Sequence, residues 1–410
     1  MEEIDVPPYF LCPISLEIMR DPVTVWTGIT YDRENIEKWI FSSKNNTCPV
    51  TKQALSDCDL TPNHTLRRLI QSWCTLHASY GVERFPTPKP AITKSEISKI
   101  LKEIKSPNLQ LKSLQTLKSI ANQSETNKRC IVTAGAIETL TSIMVNSTQQ
   151  ESSLEEFNQE HNKVTGEALS LLNNLHISKE SLKQLLSNVK FLDSLIIILQ
   201  RGSYESRAYT VMLLKSMFEE ADPAQIMILN SELFIELAQM LRDQISYQAT
   251  KATLLVLIQI CRWGRNKIKA VEAGLVNILV ESLLYTSEKR PCEMMLTVLD
   301  QLCGCAEGRA ELLSHGAGMA VVSKKILRVS QVASERALRI LFWISKFSAT
   351  PAVLQDMLQF GVVAKLCLVL QVECGGNKTA EKAKEILKLH ARVWKNSPCV
   401  PTNLLVSYPC

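Results

Sequence analysis

Two kinds of hydrophobic patterning divide the chain. Over residues 5–80, short apolar runs are broken by turn-forming residues, whereas from 96 to 396 apolar positions recur at helical spacing almost without interruption. In the first region, Met19-Arg20-Asp21-Pro22-Val23 followed by Thr27-Gly28 predicts a hairpin whose turn uses the freedom of Gly28 to take positive φ. Asp32 stands where a helix N-cap belongs, with Glu34 in the first turn and Ile36, Trp39 and Ile40 forming an apolar face. Thr61 or Asn63, on either side of Pro62, caps a second helix with Leu66, Leu69, Ile70 and Trp73 as its stripe. Residues 81–95, with Pro86, Pro88 and Pro90 alternating, predict an extended, semi-rigid linker.

Beyond the linker the pattern repeats. A small turn residue or glycine leads aliphatic positions two and five residues further on. This occurs at Gly135 (Ile137, Leu140), Gly274 (Val276, Leu279) and Gly361 (Val363, Leu366), with weaker copies at Lys190, Glu232 and around Gly316. The successive steps are 55, 42, 42, 42 and 45 residues. A period near 42 in an all-helical chain indicates a HEAT or armadillo solenoid, here of about six repeats. Asn127-Lys128 before Val132 to Ile137, and Asn266-Lys267 before Val271 to Val276, resemble the armadillo signature. The long first step is assigned to residues 146–163, a polar, acidic stretch without apolar periodicity that reads as an inserted flexible loop. Residues 397–410 form a C-terminal tail. The Trp-x-x-x-Asn ladder with which some armadillo arrays bind basic peptides is absent: Trp263 precedes Asn266 at the wrong spacing, and Trp343 is followed by Phe347. Those tryptophans read as core or flank residues. Arg201, Arg207 and the run Ser323-Lys324-Lys325 read as solvated faces.

Composition narrows the function classes. The 46 Lys and Arg exceed the 41 Asp and Glu by only 5, spread along the chain, so no basic tract suited to nucleic acid is present. The opening MEEIDVPPYF is acidic and proline-bearing, unlike a signal peptide, and no apolar run reaches the roughly 18 residues of a membrane span. The 13 cysteines are scattered, with Cys261, Cys303 and Cys367 on helical apolar faces, which is the thiol usage of a reducing compartment. Cytoplasmic residence is expected, with nuclear or peripheral membrane association left open.

The N-terminal region has the length of a zinc-binding RING module, yet its ligand types Cys12, Cys48, Cys58 and His64 include no close pair, so no metal and no cofactor is expected. Cys12 and Cys48 lack the His–Asp/Asn company of a nucleophilic thiol. The strings CPISLEIMRDPV, GITYDR, IEKW, CPVT and LTPNHTLR occur in the order and spacing of the U-box family, which the region closely resembles. The combination of U-box, linker and armadillo repeats, together with LIQSWCTLHASYGVERFPTPKP and the closing KAKEILKLHARVWKNSPC, is similar across essentially the whole chain to plant U-box ubiquitin ligases of the armadillo class, in the short subgroup acting in immune and stress signalling. The implied fold is mainly α: a small α+β, zinc-free RING-like U-box followed by an all-helical armadillo superhelix. The implied activity is that of an E3 ubiquitin ligase that forms no covalent ubiquitin intermediate. Its partners would be a ubiquitin-conjugating enzyme (E2), ubiquitin and a protein substrate on the concave face of the repeats, and the U-box leaves homo- or hetero-oligomers open. By motif, the E2 groove comprises Ile14 and Leu16 in the first loop, Trp39 on the helix and Pro49 in the second loop. From the residues alone, Ile14, Leu16 and Trp39 could equally be core. Lys52 stands where the family places a basic residue that positions donor ubiquitin, and a solvated loop lysine is the alternative. A non-catalytic scaffold with the U-box as dimerisation module is the competing function.

Overall fold

The computed structural model describes residues 5–42, 45–55, 60–78, 92–149, 159–372 and 378–395. They fall into two compact units, Met1–Leu140 with Asn174–His176, and Thr141–Asn173 with Ile177–Cys410. The boundary lies inside a helix of the first repeat, not in the proline-bearing segment 81–95, of which residues 81–91 lie outside the described residues.

In the first unit, β1 (Pro22–Thr24) and β2 (Thr30–Asp32) pair antiparallel with Val23 opposite Tyr31, and β3 (Thr61–Pro62) adds to the other edge of β1. Gly28, at φ 81°, turns the predicted hairpin. Helix α1 (Arg33–Glu37) runs on into a wider turn through Ser42, and α2 (His64–Leu76) follows β3. Phe10, Met19, Val23, Tyr31, Ile36 and Ile70 anchor the core.

Two details depart from the local patterns, and a third decides between the two candidate caps. Asp32 is the N-cap residue of α1 without a side-chain cap bond. Its carboxylate accepts instead from the N–H groups of Arg20 and Asp21 at 2.8 and 2.9 Å, tying the hairpin to the loop before it. Of the two candidate caps for α2, Asn63 serves: its Oδ1 accepts from Leu66 N–H at 3.0 Å. Leu69 is exposed while Cys74 takes the buried position one turn beyond Ile70, because the stripe is narrower than the apolar residues suggest.

Helices α3 (Lys94–Ile104) and α4 (Pro107–Ala121) pack together ahead of the repeats. Helix α3 starts before residue 96, with Thr93 and Glu96 closing a capping box. Among the described residues, six helix triplets follow. The first is α5 (Glu125–Thr133), α6 (Ala136–Gln149) and α7 (Gln159–Asn174); the second is α8 (Lys179–Ser187), α9 (Val189–Arg201) and α10 (Tyr204–Glu219). Next come α11 (Pro223–Met227), α12 (Ser231–Asp243) and α13 (Tyr247–Ile260), then α14 (Gly264–Glu272), α15 (Leu275–Tyr285) and α16 (Lys289–Leu302). The last two are α17 (Ala306–Ser314), α18 (Gly318–Lys325) and α19 (Gln331–Phe347), and α20 (Pro351–Gln359), α21 (Val362–Val372) and α22 (Lys378–Leu389), before a final turn α23 (Ala391–Trp394). In the second unit the third helices stack in series, α10 on α13, α13 on α16, α16 on α19 and α19 on α22.

The repeated glycines now have a physical reason. Gly135, Gly274 and Gly361 take φ of 85°, 78° and 68° between the first and second helices of their triplets, where a side chain would strain the left-handed backbone. The signature asparagines close helix ends. Asn127 donates to Ile120 O, and buried Asn266 donates to Ile260 O at 3.0 Å and to Ile226 O at 2.9 Å, satisfying carbonyls that a helix C-terminus leaves unpaired. The segment 146–163 is helical at both ends, with α6 reaching Gln149 and α7 starting at Gln159; residues 150–158 lie outside the described residues. Within it, the Thr148 hydroxyl lies 3.0 Å from Met144 O in its own helix and 2.8 Å from Ser194 Oγ in the second triplet.

Arg207, Ser323 and Lys325 are buried, correcting their assignment to solvated faces. Arg207 pairs with Asp243 at 2.6 Å, Lys325 donates to Thr286 O at the end of α15, and Ser323 donates to Phe360 O. Burial is tolerated because each polar head meets a partner in a neighbouring repeat. Arg201 and Lys324 are exposed, as expected.

Replacing Asn266 with alanine orphans two buried carbonyls. The expected cost is about 1–3 kcal/mol, read as a lower thermal midpoint of the helical circular dichroism signal. An unchanged midpoint would show that these bonds do not support the repeat.

Candidate functional site

Two loops of the N-terminal module share one construction. In the first, Leu16 N–H donates to Cys12 O and Cys12 N–H to Glu17 O, both at 2.8 Å; in the second, Lys52 N–H donates to Cys48 O at 3.0 Å and Cys48 N–H to Gln53 O at 2.8 Å. Each loop starts Cys-Pro, and each reaches its apex through a non-glycine residue in the left-handed region, Leu16 at φ 60° and Lys52 at φ 59°. Such a backbone costs roughly 1–2 kcal/mol per residue, so the surroundings must impose it.

Adjacent residues of β2 supply that restraint. Asp32 N–H donates to Cys12 Sγ at 3.3 Å, and the Tyr31 hydroxyl lies 3.0 Å from Cys48 Sγ. The same hydroxyl oxygen accepts from Val50 N–H at 3.3 Å, so one group bridges the sulfur and the backbone of the second loop. Burial opposes ionisation of the Cys48 thiol, but hydroxyl donors from Thr27, Thr51 and Tyr31 outweigh it and bring its pKa down to about 6. Burial, together with the bond to Cys48, pushes the Tyr31 phenol up.

Helix α1 and its continuation join both loops from the other side. Asn35 Nδ2 donates to Ser15 Oγ at 3.1 Å, and one turn later Trp39 Nε1 donates to Thr47 O at 2.8 Å. Of the residues singled out from sequence, Ile14 and Trp39 are half-buried against the core, Pro49 is half-buried, Leu16 is 74% exposed and Lys52 is exposed. Thus Ile14 and Trp39 combine packing with partial exposure, whereas among the described residues nothing covers Leu16. Val50, 51% exposed in the second loop, was missed. Among the described residues, no three His, Cys, Asp or Glu side chains converge on a point that could hold a metal ion. Cys12 and Cys48 have no exposed surface, and their sulfurs are held inside the fold by hydrogen bonds.

Comparison with known proteins decides the family. Residues 6–79 match the U-box domain, and residues 96–410 match the plant U-box protein ARM repeat region. The chain belongs to the plant U-box E3 ubiquitin ligases with armadillo repeats. It is 58% identical to the E3 ubiquitin-protein ligase PUB23 of Arabidopsis thaliana, with 100% of this chain and 98% of the relative aligned, and 56% identical to PUB22 of the same plant, with 100% and 99% aligned. A solved chain described for the interaction between cadherin and beta-catenin superposes with TM-score 0.60 at 14% identity, over 82% of this chain and 58% of that one, which speaks to the fold alone. The protein is therefore an E3 ubiquitin transferase of the U-box type.

In this U-box, Tyr31 ties β2 to the second loop at two atoms. Tyr31→Phe preserves the buried ring but leaves Val50 N–H without its acceptor and Cys48 Sγ without its shortest partner. A loss of about 1–3 kcal/mol is expected, with faster hydrogen exchange at Val50. Unchanged exchange there would mean the loop is held by other means.

Proposed function

We propose that the two loops and the helix between them recruit a ubiquitin-charged E2 through Ile14, Leu16, Trp39 and Pro49, and that ubiquitin passes directly to a lysine of a substrate held by the armadillo repeats. One observation carries this reading. Leu16 is 74% exposed on a loop whose strained apex is backed by hydrogen bonds from β2 and α1. A fold gains nothing by holding a bare leucine in a left-handed backbone unless a partner covers it. Val50 enlarges the same apolar presentation on the second loop.

Transfer without a covalent intermediate is favoured by accessibility. The pKa of Cys48 would make it a good nucleophile, yet its sulfur has no exposed surface from which to attack a thioester, and Cys12 and Cys74 are equally enclosed. The module would act by holding the thioester near a substrate amine and restricting the donor's orientation. Lys52, exposed at the apex of the second loop, is assigned to the donor ubiquitin as a point charge, a weaker fork than arginine. The serial third helices of the repeats offer a continuous surface for a protein substrate. A role in defence or stress signalling rests on the resemblance to the short plant subgroup, and cytoplasmic residence on the scattered thiols. Among the described residues no single helix is long and apolar enough to cross a membrane.

Leu16→Gly separates recruitment from folding. Relief of the left-handed backbone, about 1 kcal/mol, roughly offsets the entropy that glycine loses on folding, about 0.5–1 kcal/mol. Thermal stability should therefore hold while E2-dependent chain formation falls on the order of 10- to 30-fold, as for an interface hot spot. Full activity in a stable Leu16→Gly protein would refute the assignment. Ile14→Ala is the less clean test, because Ile14 also packs against the core.

A further inference from the structure

Glu37, the last residue of α1, is a carboxylate with 2% of its surface exposed, and E2 recruitment gives it no task. Its partners lie on the first repeat. Oε2 accepts from the backbone N–H of Glu125 at 3.1 Å, and Oε1 accepts from the hydroxyl of Thr126 at 2.5 Å. Those donors are the first two residues of α5, where helix N–H groups have no intrahelical acceptor and the helix dipole favours negative charge. The N-cap Ser124 serves a different amide, that of Asn127, at 3.1 Å. Glu37 is therefore the acceptor that completes this helix start.

A second rung lies one turn along. The Arg129 guanidinium sits 4.2 Å from the centroid of the Phe41 ring, and Phe41 follows Glu37 by four residues just as Arg129 follows Glu125. Arg33, itself 2.6 Å from Asp21, approaches Glu37 at 3.7 Å and orients it from within the U-box. The stretch from Ile36 to Phe41 thus presents three faces: Ile36 and Ile40 to the core, Trp39 to the second loop, and Glu37 with Phe41 to α5.

We infer that Glu37 locks the U-box onto α5, so that the E2-facing loops are presented in one fixed direction relative to α5 and not from a free tether. Glu37 is a positioning residue, acting on which lysines the bound E2 can reach, not on its activation. This deepens the proposed function and rests on the loops being the E2 site.

Hydrogen exchange tests the lock directly. The Glu125 amide has no acceptor in its own helix, so its protection in the full-length chain reports the Glu37 bond. At least tenfold protection is expected in wild type and its loss in Glu37→Ala, with the Asn127 amide little changed. Equal exchange at Glu125 in the two proteins would overturn the inference. Should Glu37→Ala unfold, Arg129→Glu probes the same contact from a half-turn that α5 does not bury, with the same expected loss at Glu125. The functional arm uses two readouts on each variant. Discharge of the E2–ubiquitin thioester onto free lysine should match wild type, while the set of self-ubiquitinated lysines mapped by mass spectrometry should change. Reduced discharge, or an unchanged set of lysines, would refute positioning. If wild type itself gave no discharge with any E2, the ligase reading of the loops would fail, and the exchange result would still decide whether the U-box is locked.

Discussion

Two consecutive residues of one short strand hold the working end of this protein in shape. From β2, Asp32 reaches the first loop through its backbone N–H on Cys12 Sγ and through its carboxylate on the amides of Arg20 and Asp21. Tyr31 reaches the second loop through a hydroxyl that bridges Cys48 Sγ and Val50 N–H. Strand neighbours point to opposite faces, which lets adjacent residues serve two loops at once. Each bond contributes only about 1 kcal/mol net, comparable with the strain at Leu16 and Lys52 that it helps to maintain. Losing a bond that is even partly withdrawn from water costs more than forming it gains, and that asymmetry helps to keep the loops in a single conformation.

The repeats rely on the same economy of polar contacts in an apolar setting. Glycines with positive φ turn the first helix into the second, and asparagines cap the preceding helix end. Charged heads are buried where they meet a neighbour: Asp300, 1% exposed, accepts from Arg336 and the Trp343 indole and forms an ion pair with Arg339. Burial pushes the Asp300 carboxyl up even so, and the two arginines only partly offset it.

Much of this was legible in the sequence, and what was not shares one cause. The 42-residue period located the turns because Gly135, Gly274 and Gly361 answer a local backbone need, visible wherever it recurs. The U-box strings carried the module. Asp32 looked like a helix cap because capping is a local rule, whereas its actual partners lie 11 and 12 residues back. Glu37 carries no local pattern of its own, because its partner Thr126 is 89 residues away. Lys325 and Arg207 were assigned to solvent for the same reason, their partners being 39 and 36 residues off in neighbouring repeats. Periodicity reports which face is apolar; it does not report where a long polar side chain finds a partner.

The central claim, that hydrogen bonds and not a metal ion organise an E2-recruiting surface, is tested most directly by ubiquitin-chain formation with E1, a panel of E2 enzymes and ATP, comparing wild type with Trp39→Ala under strong chelation of zinc. Wild type should form chains that are indifferent to the chelator and that are lost when Trp39 no longer joins the helix to the second loop. Chains that vanish from wild type on chelation, or that persist undiminished in Trp39→Ala, would contradict that claim.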